Sequence, residues 1–342
     1  MTRDEHMKTY HTYHEIKSQT KAWAQALEVT SRSNLPKAAD YDQVVFTGCG
    51  STYYLSLAAA ALYQEITGRA AKAVPGGELL LNSPAYLTNQ RTLLIALSRS
   101  GTTTETCKAV EIFKEEKRGE VVVISNYDEV LSHMADVNIV ISNGQEESVA
   151  QTRSFASMFV ATTAFCVRMT DCDDRLSAMR ELPKAGERLM EKYESFAKEI
   201  GEDLNFDRFY FLGSGIRYGL ACEVNLKMKE MTLTHSEAFH FLEFRHGPMS
   251  MIDEKTVVIG LLSEKNFGYE QAVLDEIKEL GGKVVALAEA KAEVSFESGI
   301  PENNRGVLYL PVLQLMAFYR SLAKGLNPDR PKNLTAVVKL NI

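Results

Sequence analysis

No two of the five cysteines (Cys49, Cys107, Cys166, Cys172, Cys222) form a CxxC pair, and their number is odd. An odd, scattered set fits reduced thiols in a cytosol better than a disulfide framework. No run of about 18 apolar residues predicts a membrane span, and the N-terminal stretch MTRDEHMKTYHTYHEIKSQTKAW lacks the apolar core of a signal peptide. Nor is there a stripe of Lys and Arg. With a net charge of -7 and a pI near 5.6, the chain would repel a phosphate backbone. These absences predict a cytoplasmic protein with neither a membrane nor a nucleic acid as partner.

The chain has 342 residues, more than one core usually holds, and its 45% hydrophobic and 24% charged residues are near globular averages. Two domains are expected. Residues 12–30 fit an amphipathic helix. Apolar runs then alternate with helical patterns: QVVFTG (43–48), TLLIAL (92–97), VVVIS (121–125), RFYFLG (208–213), TVVIGLL (256–262) and KVVALA (283–288). Alternation of this kind predicts an α/β fold of parallel sheets covered by helices. Gly48 and Gly213, Gly50 and Gly215, and Ser98 and Ser263 are each 165 positions apart at the ends of predicted strands, which reads as an internal duplication. The expected layout is an N-terminal helical segment (1–35), a first domain (36–172), a linking helix (173–205) and a second domain with a C-terminal tail (206–342).

Three motifs carry chemistry. In VVFTGCGST a strand ends in Gly48-Cys49-Gly50-Ser51-Thr52 and runs into a helix, so that Ser51 and Thr52 offer donors beside its positive end. A dinucleotide fingerprint wants a small sixth residue where Tyr53 stands, and GSGIRYG places its last glycine one step late. A strand-to-helix turn without a ligand fits this motif equally well. In LLIALSRSGTTTET, Ser98, Ser100, Thr102, Thr103 and Thr104 surround Gly101 before a helix starting near Thr103. Such a loop makes an anion cradle, whereas an N-cap with spare hydroxyls would explain one or two of the five.

The third motif is LACEVNLKMKEMTLTHSEAFHFLEFRHGP. In a helix over about 217–232, Glu223 and Glu230 are seven residues apart and share a face. Glu230 falls in the last turn, where the negative end of the helix dipole disfavours a charged carboxylate. That suits a general base, while an exposed Glu paired with Lys227 is the plainer alternative. His235, His240 and His246 accompany Glu237 and Glu243 at spacings that match no usual zinc motif. No metal or other cofactor is predicted. His246, before the turn-forming Gly247-Pro248, is the histidine a loop could present to a cleft, whereas His235 and His240 read as packing or surface residues. His6, His11 and His14 have no such context.

Together GCGST, SRSGTTTET, EESVAQTRSF, LKMKE, SEAFHFLEFRHGP and NPDRPKNL resemble, in order and spacing, the sugar isomerase (SIS) domain family. The likeness is to the double-domain isomerase part of glucosamine-6-phosphate synthase and its stand-alone relatives. It implies two doubly wound, flavodoxin-like parallel-sheet SIS domains in tandem, the first with a phosphate loop. It further implies Ser98, Ser100 and Thr103 as phosphate ligands, with Thr52 in the matching first turn and Arg99 where the synthase has Gln. Glu230 matches the acid that shuttles a proton between C1 and C2. His246 matches a histidine assisting ring opening from the neighbouring subunit, hence a homodimer with composite active sites. Val149 and Thr152 fall in the segment lining the sugar site, where Gln151 and Arg153 replace the synthase's Ser and Lys.

One departure matters. The synthase has a Schiff-base lysine after its NL pair, whereas here Asn333-Leu334 is followed by Thr335 and Ala336, with Lys332 and Lys339 out of register. No nucleophilic Cys follows Met1, so ammonia is not expected to be supplied internally. The resemblance therefore implies deamination of a phosphorylated amino sugar, glucosamine 6-phosphate, to fructose 6-phosphate and ammonia. Alternatives are a deglycase for 6-phosphorylated fructose–amino-acid adducts, a simple aldose–ketose isomerase, and a non-catalytic sugar-phosphate sensor. A sensor needs an output module, and the forty or so residues before the first domain build no helix-turn-helix.

Overall fold

The computed structural model describes residues 7–170 and 173–340, so His6 and Cys172 lie outside the described residues. In chain order the main elements are α1 (His11–Arg32), β1 (Gln43–Gly48), α2 (Ser51–Thr67), β2 (Ala71–Pro75), β3 (Thr92–Ser98), α3 (Thr104–Glu115), β4 (Gly119–Ser125), β5 (Val137–Val140) and α4 (Arg153–Arg168). There follow α5 (Leu182–Glu202), β6 (Arg208–Leu212), α6 (Ile216–Thr232), β7 (His235–Phe239), β8 (Thr256–Leu261), α7 (Phe267–Glu279), β9 (Lys283–Ala288), β10 (Val294–Ser295) and α8 (Leu310–Ala323).

The chain divides into two compact units that interleave along the sequence. One holds residues 18–146, 153–180 and 335–342, and the other residues 1–17, 147–152 and 181–334. Each contains a five-stranded parallel sheet. The first is ordered β2-β1-β3-β4-β5 and the second β7-β6-β8-β9-β10 when read from the matching edge. Both orders are the doubly wound, flavodoxin-like 2-1-3-4-5. The duplication read from three residue pairs thus extends to topology: α2 and α6 begin and end 165 positions apart, and Gly50 (φ 57°, ψ -123°) and Gly215 (φ 58°, ψ -127°) share one left-handed conformation before them. L side chains resist that conformation, so glycine is needed at both turns.

Central strands β1, β3 and β8 are buried at every position, since helices cover both faces of a parallel sheet. In the first unit Val45, Leu94, Val121 and Val123 pack on Val110 and Phe113 of α3; in the second Tyr210, Leu212 and Val258 pack on Val273, Leu274 and Ile277 of α7. Strands 43–48 and 283–288 match the sequence reading residue for residue, and the other central ones differ at their ends by one or two residues. The reading missed β2, β5, β7 and β10. All four are sheet edges, and such strands need no continuous apolar run. The linking helix expected over 173–205 is broken: a short helix Asp173–Ala178 and a 3-10 turn Met179–Glu181 precede α5. Pro183 explains the restart, because it has no N–H to continue a helix but is suited to a first turn.

One stretch does pass the length and composition test for a membrane span, contrary to the sequence reading. It is Gly306–Ala323, and 89% of it is buried, as befits a core helix. Cys49, Cys107, Cys166 and Cys222 are free thiols. Burial pushes all four up, Cys222 to about 11, which disfavours the reactive thiolate.

Candidate active site

The hydroxyl-rich loop leaves the carboxyl end of β3, a central strand, and enters α3. Ser98 is buried, and its Oγ accepts a hydrogen bond from Gly101 N at 3.1 Å, which folds the loop back on itself. Gly101 takes φ 66° to make that turn. Ser100 Oγ accepts from Thr102 N and Thr102 Oγ1, both at 3.2 Å. Thr103 is the N-cap residue of α3, yet its hydroxyl makes no capping bond. Gly101 N and Thr102 N are thus bonded to the loop's own serine hydroxyls, and the loop lies at a helix start, where the dipole favours an anion.

The neighbouring turn after β1 brings Ser51 and Thr52, both buried, to the start of α2. Thr52 Oγ1 accepts from Cys49 N and donates to Cys49 O, each at 2.9 Å, so this hydroxyl closes the turn. Arg99 is also engaged within its unit. Its guanidinium donates to Ala336 O at 2.7 Å and stands 3.7 Å from the buried carboxylate of Glu146, which in turn accepts from Ser154 N at 3.0 Å and from Ser154 Oγ. Leu340 N donates to Thr104 Oγ1 at 3.1 Å, so residues 335–340 are fastened beside the same loop.

In the other unit the structure brings Glu223 and Glu230 onto one face of α6, as their spacing required. It also shows the pairing with Lys227 named as the plainer alternative, but buried where an exposed one was expected. Lys227 lies between them, its Nζ bonded to Glu230 Oε2 and 3.5 Å from Glu223 Oε1. The side chains of Glu223 and Lys227 are each 2% exposed and that of Glu230 18%, so the pairing is buried rather than a surface contact. The ammonium offsets both the helix's negative end and the repulsion between two carboxylates, as charges removed from water require. The i, i+4, i+7 spacing of Glu, Lys and Glu was the signal available for it.

Glu230 opens on a cavity of about 240 Å³ that is also lined by Leu233, Asn327, Arg330, Pro331 and Lys332. Leu233 caps α6 in the left-handed conformation and so sets where the helix stops below Glu230. Val149 is half-buried and Thr152 fully buried; Val149 N donates to Asp329 O at 3.0 Å, and Gln314 Nε2 donates to Thr152 O at 3.2 Å. His246 is exposed on a loop between 3-10 turns Glu243–Arg245 and Pro248–Met251. His235 is on β7, and His240 stacks on Tyr218 with ring centroids 3.8 Å apart. A larger groove of about 1050 Å³ beside β7 is lined by none of the motif residues carried into the site. Among the described residues no three His, Cys, Asp or Glu side chains gather as a metal site.

The SIS domain profile matches residues 38–168 and 205–298, which is most of the chain. The chain belongs to the SIS domain family. Two similar curated proteins carry the name glutamine–fructose-6-phosphate aminotransferase (isomerizing). That of Pyrococcus horikoshii is 27% identical over 323 residues, covering 89% of this chain and 53% of the relative. That of Sulfolobus acidocaldarius is 32% identical over 250 residues, covering 72% and 42%. This SIS chain spans about half the length of the curated relatives it matches. Among solved structures, the glucosamine-6-phosphate deaminase of Thermotoga maritima superimposes with a TM-score of 0.81 at 25% identity, covering 96% of this chain and 99% of that one. The tagatose-6-phosphate ketose/aldose isomerase of Escherichia coli gives 0.81 at 22% identity, covering 94% and 95%, which shows the shared fold.

Proposed function

We propose that this SIS chain deaminates a 6-phosphorylated amino sugar, taking glucosamine 6-phosphate and water to fructose 6-phosphate and ammonia. The observation that carries the reading is the line Glu223–Lys227–Glu230, in which a mostly buried carboxylate, held by a buried ammonium, opens on a cavity at a helix end. The near-complete two-way coverage with a glucosamine-6-phosphate deaminase supports the same choice of substrate.

In this reading Ser98, Ser100 and Thr103 hold the phosphate, and the remote binding energy positions the reacting carbons. Ser51 lies at the adjoining helix start. The ring opens with help from His246. Glu230 takes the C2 proton of the open-chain aldehyde and returns it to C1, leaving a ketose imine at C2. Water adds to that imine carbon and ammonia leaves, so no bond to the enzyme is needed. Ala336 has no amine to offer, and its carbonyl is held by Arg99. Val149 and Thr152 line the sugar, and Glu223 with Lys227 fixes the position of Glu230.

His246 is exposed on its own chain, which is the arrangement a composite site in a homodimer calls for. Mixing Glu230→Gln and His246→Ala chains should then restore part of the activity lost in each. The direct test of the reaction is steady-state ammonia release across 6-phosphorylated amino sugars and fructose–amino-acid adducts. Glucosamine 6-phosphate should be turned over best; release confined to the fructose adducts would replace this reading with a deglycase.

A further inference from the structure

The turn of residues 327–332 lines the cavity on which Glu230 opens, and its own fastening lies in a distant part of the sequence. Asp329 is 9% exposed, and its carboxylate accepts three hydrogen bonds from the start of α1: His11 N to Oδ2 at 3.0 Å, Thr12 N to Oδ1 at 2.8 Å and Thr12 Oγ1 to Oδ1 at 2.7 Å. First-turn amides of a helix have no partner within it, and a carboxylate there also meets the positive end of the dipole. The backbone of the same residue reaches the other way, for Asp329 O accepts from Val149 N at 3.0 Å. One turn further along α1, buried Glu15 accepts from Glu147 N at 2.6 Å, Ser148 N at 3.2 Å and Ser148 Oγ. Two carboxylates therefore tie the start of α1, the 147–152 segment and the 327–332 turn into one frame. Bonds to charged groups are the strong ones, and buried they are screened little.

We propose that Asp329 is a positioning residue for the reaction: it sets the 327–332 turn that lines the cavity of Glu230 and holds the 147–152 segment through Val149, using the start of α1 as its anchor. The role rests on the proposed deamination. It acts on the placement of the sugar and leaves the phosphate loop alone, so it should be felt in kcat and not in phosphate affinity.

The test compares Asp329→Asn with the wild-type full-length protein. Hydrogen exchange should show faster exchange in the 147–152 segment. kcat should fall by about 10²-fold, the loss expected from a displacement of about 1 Å. The inhibition constant of inorganic phosphate should stay within about twofold, since the phosphate donors are untouched. Thr12→Ser, which keeps the hydroxyl, should behave as wild type, and Thr12→Val should follow Asp329→Asn in the same direction. Glu194→Gln is the control. Glu194 accepts from Tyr13 Oη, Lys17 Nζ and Tyr319 Oη, so it holds the same helix away from the turn and should lower Tm without changing kcat. Unchanged exchange in the 147–152 segment would overturn the frame itself. Faster exchange with an unchanged kcat would reduce Asp329 to a stabilising cap. A wild-type chain inactive on every substrate would sink the proposed function and this role with it, and that outcome is recognised without any variant.

Discussion

At the carboxyl edge of the first sheet Ser98 Oγ accepts from Gly101 N at 3.1 Å; at that of the second, 165 positions on, Ser263 Oγ accepts from Asn266 N at 3.0 Å. The backbone frame is the same, down to the conformations of Gly50 and Gly215. The side chains are not. Ser100 and Thr103 correspond to Lys265 and Gly268, and Thr52 corresponds to Arg217. In the second unit the chain's own carboxylates occupy the donors: Glu270 accepts from Ser263 N at 2.5 Å and Ser263 Oγ at 3.0 Å, while Glu302 Oε1 accepts from Glu264 N at 3.0 Å and from Arg217 at 2.8 Å. In the first unit Glu105, at the position of Glu270, leaves Oε2 without a hydrogen-bond partner. The strand–loop–helix edge is thus built twice; in the second unit the chain's own carboxylates fill it, and in the proposed function an outside phosphate fills the first. In the same proposal the second unit supplies the proton carrier, Glu230 on α6.

The largest effect should come from breaking that division of labour at Glu230. Glu230→Gln should lower kcat for ammonia release by about 10³-fold with little change in KM, since positioned acid–base groups contribute about 10² to 10⁴. A loss confined to KM would make Glu230 a binding group and erase the contrast between the units. Next comes the filled edge. Glu302→Ala leaves the guanidinium of Arg217, whose side chain is 11% exposed, without its carboxylate. Breaking such a pair should destabilise by about 3 kcal/mol, read as a lower Tm, and added inorganic phosphate should recover part of it. Equal stabilisation of wild type and variant by phosphate would mean that Glu302 is no stand-in for an anion.

The smallest effect concerns Glu270. Burial raises its carboxyl above the ordinary value, against the lowering influence of the Ser263 and Arg217 donors. The folded chain then binds this proton more tightly than the unfolded one. Its contribution to stability is complete below the unfolded value near 4.5 and is lost as pH rises through the folded value. The Tm of Glu270→Gln relative to wild type should therefore climb across that window, and a flat difference would contradict the assignment.

Local periodicity made the central strands, α1, α6 and the hydroxyl loop legible in the sequence, because burial on both faces and helix starts leave compact signatures there. Edge strands such as β5 and β7 have no such signature. Lys227 could be read only as a surface partner until α6 was seen to be buried. Asp329 was out of reach altogether, since the amides that it binds belong to residues 317 and 318 positions away, and no local pattern records a contact that the fold creates. The anion frame of the second unit was hidden for the same reason: Glu302 meets Glu264 N across 38 residues.

In the proposed function each chain holds its phosphate at the loop of residues 98–103. Calorimetric titration of fructose 6-phosphate into the wild-type protein and into a Ser100→Ala, Thr103→Ala double variant tests it most directly. One site per wild-type chain and at least tenfold weaker binding in the variant are expected, since donors to a charged group are worth about 1.5 to 3 kcal/mol each. Two sites per chain, or a variant that binds as tightly as wild type, would contradict it.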